Sequence, residues 1–309
     1  MDALATPSMP FLMPDALTIA AADHAMRNWS HPRVGRVRIG SSEHCRMFSN
    51  MLLETHNLYK PAAIEWPALS SEALARVTSL PIWDIAVQTE GRASVRVEAF
   101  ARTVKDSLLR AALDLDGAEE ARHKVVLSKL VMAYGIALAP EPLYEAPRDV
   151  LWGWMVTGYS ECIDSFFAFG LFEVARRSGY FPPALVDTFE PVIQEEARHI
   201  LFFVNWVAWY KRGLPLWRRP SFFLKEIAVW VFLIWERLGI ARGLDSTGSA
   251  QDANFTVHGS AAVGVELKAA EMIELCLTEN ERRMAGYDPR LLRPALVPRL
   301  ARLARRWLR

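Results

Sequence analysis

The sequence is poor in cysteine. Cys45, Cys162 and Cys276 stand far apart, and no Cys-x-x-Cys pair occurs. That excludes a zinc ribbon or a rubredoxin-type iron centre, and an odd number of scattered thiols suits a reducing compartment. Excess charge is also missing. The 36 Lys and Arg against 35 Asp and Glu leave no broadly basic surface for a nucleic acid partner. Long apolar runs are missing too. Uncharged stretches such as 150–160 and 200–210 fall far short of the roughly 20 residues that span a bilayer. The opening MDALATPSMPFLMPDAL lacks a basic start, and Pro10 and Pro14 interrupt its apolar residues, so it does not read as a secretion signal. The expected location is cytoplasmic.

Hydrophobic residues, by contrast, make up 51% of the 309 residues, with 11 Trp among them. That supply suffices for a large core and excludes a disordered chain. Residues 1–80 read as a loop-rich extension packing on a helical bundle. Pro7, Pro10, Pro14, Pro32, Pro61, Pro67 and Pro81 punctuate it, with short helices expected near 41–56 and 70–79. From about 82 onward apolar residues recur at helical spacing with few breakers. Helices are expected near 82–112, 118–138, 148–177, 184–212, 220–241 and 262–286, with a basic one near 295–309. The breaks fall at LDLDG (113–117), where Asp116 and Gly117 read as turn residues, and at APEPLYEAP, SGYFPP and GLPLWRRP. Alternating strand patterns are scarce. The spacing predicts an all-α fold with an antiparallel four-helix bundle at 81–212 and a helical extension at 213–309.

One string occurs twice. Residues 119–123 and 195–199 both read Glu-Glu-Ala-Arg-His. Each holds Glu-x-x-His, a spacing that sets both side chains on one helix face. In the second copy that face runs Phe189, Val192, Ile193, Glu196, His199, Ile200, Phe203 and Val207. In the first it runs Glu120, His123, Leu127, Leu130, Val131, Tyr134 and Leu138. Carboxylate and imidazole thus ride twice on the seam that faces the core. A buried carboxylate is costly unless paired or metal-bound. Further acids stand on the other two long helices. Glu90 is the only charge on the stripe Trp83, Val87, Ala93, Val97, Phe100, Val104, Leu108. Glu161 and Asp164 are the only acids in LWGWMVTGYSECIDSFFAFGLF. Glu161 is preferred, with Asp164 one turn along the same face as its competitor. Glu90 precedes Glu120 by 30 positions and Glu161 precedes Glu196 by 35, so the halves form a pseudo-repeat.

The set Glu90, Glu120, His123, Glu161, Glu196 and His199 resembles the ligands of the ferritin-like di-iron carboxylate superfamily, over roughly residues 80–212. There, one Glu from each of two helices joins Glu-x-x-His from each of the other two. The resemblance implies two Fe ions, or one Fe with one Mn, whose charge four carboxylates balance in the divalent state. Glu119, Glu195, Arg122 and Arg198 would then orient the histidines. It also implies O2 activation on a small apolar or aromatic substrate by hydroxylation, desaturation or N-oxygenation. No reductase motif is present, so electrons come from a separate reductase or ferredoxin. The aminobenzoate N-oxygenases also resemble the pattern, but carry an additional histidine where this chain has Val192. Iron storage, peroxide detoxification and a non-catalytic scaffold are the competing readings. The extra segments before and after the bundle favour the enzyme, because they can cover it and shape a pocket.

Other features read more simply. Phe166, Phe167, Phe169 and Phe172 are candidates for a pocket lining, with core packing preferred for at least two. Glu43, His44, Cys45, Glu54 and His56 match no established ligand spacing and read as surface or cap residues. His258 reads as structural, and residues 228–235 as a buried helix. Leu296, Leu300, Leu303 and Trp307 share one face of the last helix, and Arg299, Arg302, Arg305, Arg306 and Arg309 largely fill the rest. Such a helix lies on a membrane surface or packs on the bundle with its arginines solvated. Packing is the expectation, because membrane binding needs a further exposed apolar surface. A homodimer remains open.

Overall fold

The computed structural model describes residues 15–60, 66–80, 82–243 and 268–308. Among these residues the protein is all-helical, with ten α-helices and no strand; an isolated bridge joins Trp29 to Tyr287. The helices are α1 (Ala16–Arg27), α2 (Ser42–Glu54), α3 (Ser71–Thr78), α4 (Trp83–Ala101), α5 (Ser107–Ala133), α6 (Val150–Ser178), α7 (Pro183–Gly213), α8 (Arg219–Gly243), α9 (Ala269–Met284) and α10 (Leu296–Trp307). The expected residue His258, the prolines Pro7, Pro10, Pro14, Pro61 and Pro81, Arg309 and the start of the helix expected at 262 lie outside the described residues.

Local chemistry accounts for most of the ends. Asp15, Ser41, Ser70, Asp106 and Asp149 each cap a helix, their side-chain oxygens accepting a backbone N–H of the first turn. Gly179 ends α6 at φ 64°, a left-handed conformation that glycine adopts without a Cβ penalty. Pro183 opens α7 at a position where a missing N–H costs nothing.

One expected break is corrected. The string 113–117 does not end a helix. It lies inside α5, and the chain turns instead at 102–106, where Thr103 donates to the Phe100 carbonyl and Asp106 caps α5. Gly117 serves packing. A Cβ there would sit 3.3 Å from Glu98 Cγ on α4, and its carbonyl accepts from Ser94 Oγ at 3.0 Å. Asp116, read as a turn residue, is 2% exposed. Helix α1 has no counterpart among the expected elements.

α4 packs on α5 and α6, α6 packs on α7, and α5 meets α7. The largest core cluster joins them through Val97, Leu113, Trp154, Phe169, Phe203 and Trp206. α6 and α7 approach closely at Gly158, where a Cβ would stand 2.2 Å from the Phe203 ring. α2 lies across α5 and α7, and brings Phe48, Met51 and Leu52 into the same core. α9 packs along α6 and α7.

The last helix packs by a different face from the one expected. Val297, Pro298 and Ala301 are buried, while Leu296, Leu300, Leu303 and Trp307 are exposed. α8 is likewise only half buried: Val229 and Leu233 face inward, Val231, Ile234 and Trp235 outward. No described helix is long and apolar enough to cross a membrane.

Candidate metal centre

The six residues singled out by the doubled motif converge. Glu90, Glu120, His123 and Glu196 form one group, and Glu120, Glu161, Glu196 and His199 a second. Within each group one ligand atom per residue lies within 4.8 Å of all the others. Glu120 and Glu196 belong to both. The chain reaches this arrangement from four helices: Glu90 from α4, Glu120 and His123 from α5, Glu161 from α6, Glu196 and His199 from α7.

The two imidazole rings lie 5.7 Å apart between centroids. Each turns Nε2 outward and Nδ1 inward. His123 Nε2 donates to Glu195 Oε2 at 2.7 Å, and His199 Nε2 donates to Glu119 Oε2 at 2.7 Å. The carboxylates can only accept, so Nε2 carries a hydrogen in both rings. On the inner side His123 Nδ1 lies 3.2 Å from Glu196 Oε1, and His199 Nδ1 lies 2.9 Å from Glu120 Oε1. Neither Nδ1 forms a hydrogen bond, and neither does Glu120 Oε1, although all three are buried. Three buried polar atoms aimed into one space without a hydrogen-bond partner are what a cation-binding donor set presents.

Guanidinium groups neutralise the outer carboxylates. Arg198, fully buried, donates from Nη1 to both oxygens of Glu119 at 2.9 and 3.1 Å. Arg122 Nη2 donates to Glu195 Oε1 at 2.5 Å. The end of α2 anchors both arginines. Arg198 Nε donates to Thr55 Oγ1 at 2.7 Å and its Nη2 to the Leu52 carbonyl at 2.5 Å, while Arg122 Nη1 donates to the Asn57 carbonyl at 3.0 Å.

The protonation pattern follows from this wiring. Burial opposes charge on Glu119, yet Arg198, His199 and His56 hold its carboxyl well below the usual range. Burial pushes Glu120 well up, and the nearby Glu90 charge adds to it. Burial also pushes Glu161 well up, helped by Glu120 and Asp116. Burial opposes charge on both imidazoles, but the surrounding carboxylates raise them well above the ordinary histidine value. The upward shifts of Glu120, Glu161, His123 and His199 all favour protons on the centre's own side chains.

The two acids on α6 face different neighbours. Asp164 faces α8, where Arg237 donates to it at 2.5 and 3.2 Å and Ser160 Oγ donates at 2.7 Å. Glu161 alone of the two belongs to the cluster.

Two residues at the centre depart from the sequence expectation. His56, expected at the surface, sits 2.5 Å through Nδ1 from Glu119 Oε1. Asp116 lies 3.7 Å from His199 Nε2 with Oδ1 unpartnered, and burial pushes its carboxyl up to about 6. Asp116 stands four positions before Glu120; the matching place before Glu196 is Val192, so the two halves are unequal. The helical period, once α5 is extended back through 113–117, is the signal in the sequence for Asp116.

The other expectations resolve as packing. His44 and Cys45 are buried rather than at the surface. His44 Nε2 pairs with Asn205 Oδ1 at 3.0 Å, and Glu54 accepts from Trp29 Nε1 at 2.7 Å. Phe166 packs against Cys276 and Leu277 of α9, and the Arg283 guanidinium lies 5.2 Å from the Phe169 ring centre. All three cysteines are free and buried. No family model, no curated protein and no solved structure matches this chain.

Proposed function

We propose that α4–α7 form a ferritin-like antiparallel four-helix bundle, and that its centre holds two iron ions, or one iron and one manganese. In this reading the protein is an O2-activating oxidoreductase acting on a small, largely apolar or aromatic substrate. The observation that carries the proposal is the sharing of Glu120 and Glu196 between two otherwise separate Glu/His groups. Two carboxylates common to two donor sets are suited to bridging a pair of cations. Glu90 with His123, and Glu161 with His199, then complete one position each. The unpartnered inner nitrogens and Glu120 Oε1 fit such occupants. One nitrogen per position among hard oxygen donors fits iron or manganese better than a closed tetrahedral zinc site.

Iron held by these residues would supply redox chemistry toward dioxygen, with electrons from a separate reductase or ferredoxin. The chain's own residues do the rest. Glu119 and Glu195 keep both imidazoles in the Nε2–H tautomer, with Nδ1 free to ligate. Arg198 and Arg122 hold those two carboxylates in place through their guanidinium hydrogen bonds. The packed aromatic core around Trp154, Phe203 and Trp206 excludes bulk water from the neighbouring part of the bundle. Hydroxylation, desaturation and N-oxygenation all suit this arrangement.

The test is stopped-flow absorption after mixing reduced, iron-loaded protein with O2. The proposal expects a transient visible band, followed by a stable near-ultraviolet spectrum of an oxidised iron pair. Reduced protein that stays spectroscopically silent for hours in air contradicts the enzyme reading and favours a scaffold. Growth of a mineral core under excess Fe2+ contradicts it in favour of storage.

A further inference from the structure

We propose that α8 and α10 together form a docking surface for an anionic membrane, on which the protein lies without crossing it. The inference does not depend on the metal centre.

α8 carries an uncharged outward face. Leu224, Ile227, Val231, Ile234 and Trp235 recur at helical spacing along it, and Leu224, Val231 and Trp235 are 64%, 60% and 69% exposed. Phe222, Val229 and Leu233 form its opposite, buried face. Of its charged side chains, Lys225 is tied to Asp149, Glu226 to Tyr159 and Lys211, and Arg237 to Asp164, while Glu236 is half-buried. Just before α8, Leu216 and Trp217 are exposed as well, with the Arg218 guanidinium 4.5 Å from the Trp217 ring centre.

α10 repeats the pattern with a basic flank. Leu296, Leu300, Leu303 and Trp307 point outward, Trp307 being 84% exposed. Arg302 and Arg305 are held by Glu281 and Glu274 of α9. Arg299 and Arg306 are exposed beside the apolar stripe, and the helix contains no acid. The two helices both pack on α6. Trp230 of α8 packs in one cluster with Val297 and Ala301 of α10 over Phe166 of α6.

An apolar face bordered by arginines, with tryptophans at its ends, matches the interfacial region of a bilayer. Each exposed arginine brought to an anionic surface raises affinity roughly fivefold. A symmetric pair of copies joined through α10 would set arginines against arginines, with no acid in that helix to answer them.

The experiment is co-sedimentation of the full chain with phosphatidylcholine vesicles and with phosphatidylcholine–phosphatidylglycerol vesicles, at low and high salt. Binding is expected on the mixed vesicles, several-fold weaker on phosphatidylcholine alone, and reduced by salt. Two double variants are compared: Leu300→Glu with Trp307→Glu, and Val231→Glu with Trp235→Glu. All four sites are exposed, and circular dichroism verifies that the helices persist. Each pair is expected to weaken binding at least about tenfold, because it removes two apolar side chains from lipid and adds two like charges. Binding to neither vesicle, or equal binding by the variants, overturns the proposal. A dimer that the variants dissolve, without vesicle binding, overturns it in favour of an interface between copies.

Discussion

Glu119 on α5 accepts the Nε2 hydrogen of His199 on α7 at 2.7 Å, across the centre from its own motif partner His123. Glu195 on α7 does the same for His123 on α5. The repeated string therefore does not build two self-contained sites. The first glutamate of each copy orients the histidine of the other, and the second glutamate of each copy belongs to both donor groups.

Truncating the two outer carboxylates has unequal costs. Glu119→Ala leaves the fully buried Arg198 charge without its carboxylate, although its bonds to Thr55 and Leu52 remain, and is expected to cost about 3–5 kcal/mol in unfolding free energy. Glu195→Ala leaves Arg122, whose side chain is 17% exposed and which keeps its bond to the Asn57 carbonyl, so its cost is smaller. Both variants release one imidazole from its orienting partner, and are expected to weaken metal binding about 10- to 100-fold. Urea unfolding and metal titration measure the two effects separately. Equal destabilisation by the two variants contradicts the assigned asymmetry.

On α6, Glu161→Ala and Asp164→Ala separate ligation from packing. The first is expected to lower metal content, and the second to leave it unchanged while loosening α8 through loss of the Arg237 pair. Metal analysis of the two purified variants decides. Loss of metal from the Asp164 variant alone reverses the assignment.

The protons held by the centre give a signed pH dependence. Glu120, Glu161, His123 and His199 are all shifted upward, and Asp116 upward to about 6. Such groups contribute stability that is complete below their unfolded values and lost as pH rises through the folded ones. His44, lowered by burial, works the other way but is a single group. Glu119 and Glu196 are lowered, and their contribution changes only below about pH 4.5. Between about pH 5 and about pH 8 the chelated protein should therefore lose thermal stability. Metal must displace those protons, so the rise in Tm on adding metal should grow over the same interval. Thermal melts with chelator and with metal measure both slopes. A Tm of the chelated protein that rises across this range contradicts the protonated centre.

The centre is largely legible in the sequence because its six residues are polar intrusions on apolar helical stripes. Helical period alone aims them inward. The same rule fails at 113–117, where Asp116 and Gly117 look like turn residues. Their burial is set by the approach of α4 to α5, and Ser94 and Glu98 lie some twenty residues away in sequence. His56 is invisible for a related reason: it follows α2, and only the path of α2 across α5 and α7 brings it to Glu119. The α10 stripe reads as packing inward, yet it points outward. Amphipathic period shows which side chains share a face, and says nothing of whether protein or solvent meets it.

The most direct measurement is the metal content of protein loaded anaerobically with Fe2+ and then freed of loosely bound ions, read by elemental analysis together with Mössbauer spectroscopy. The account predicts about two Fe per chain, in two positions that become a magnetically coupled pair on oxidation, because two donor groups share Glu120 and Glu196. Less than about half an equivalent of bound metal, or isolated uncoupled iron, would contradict it.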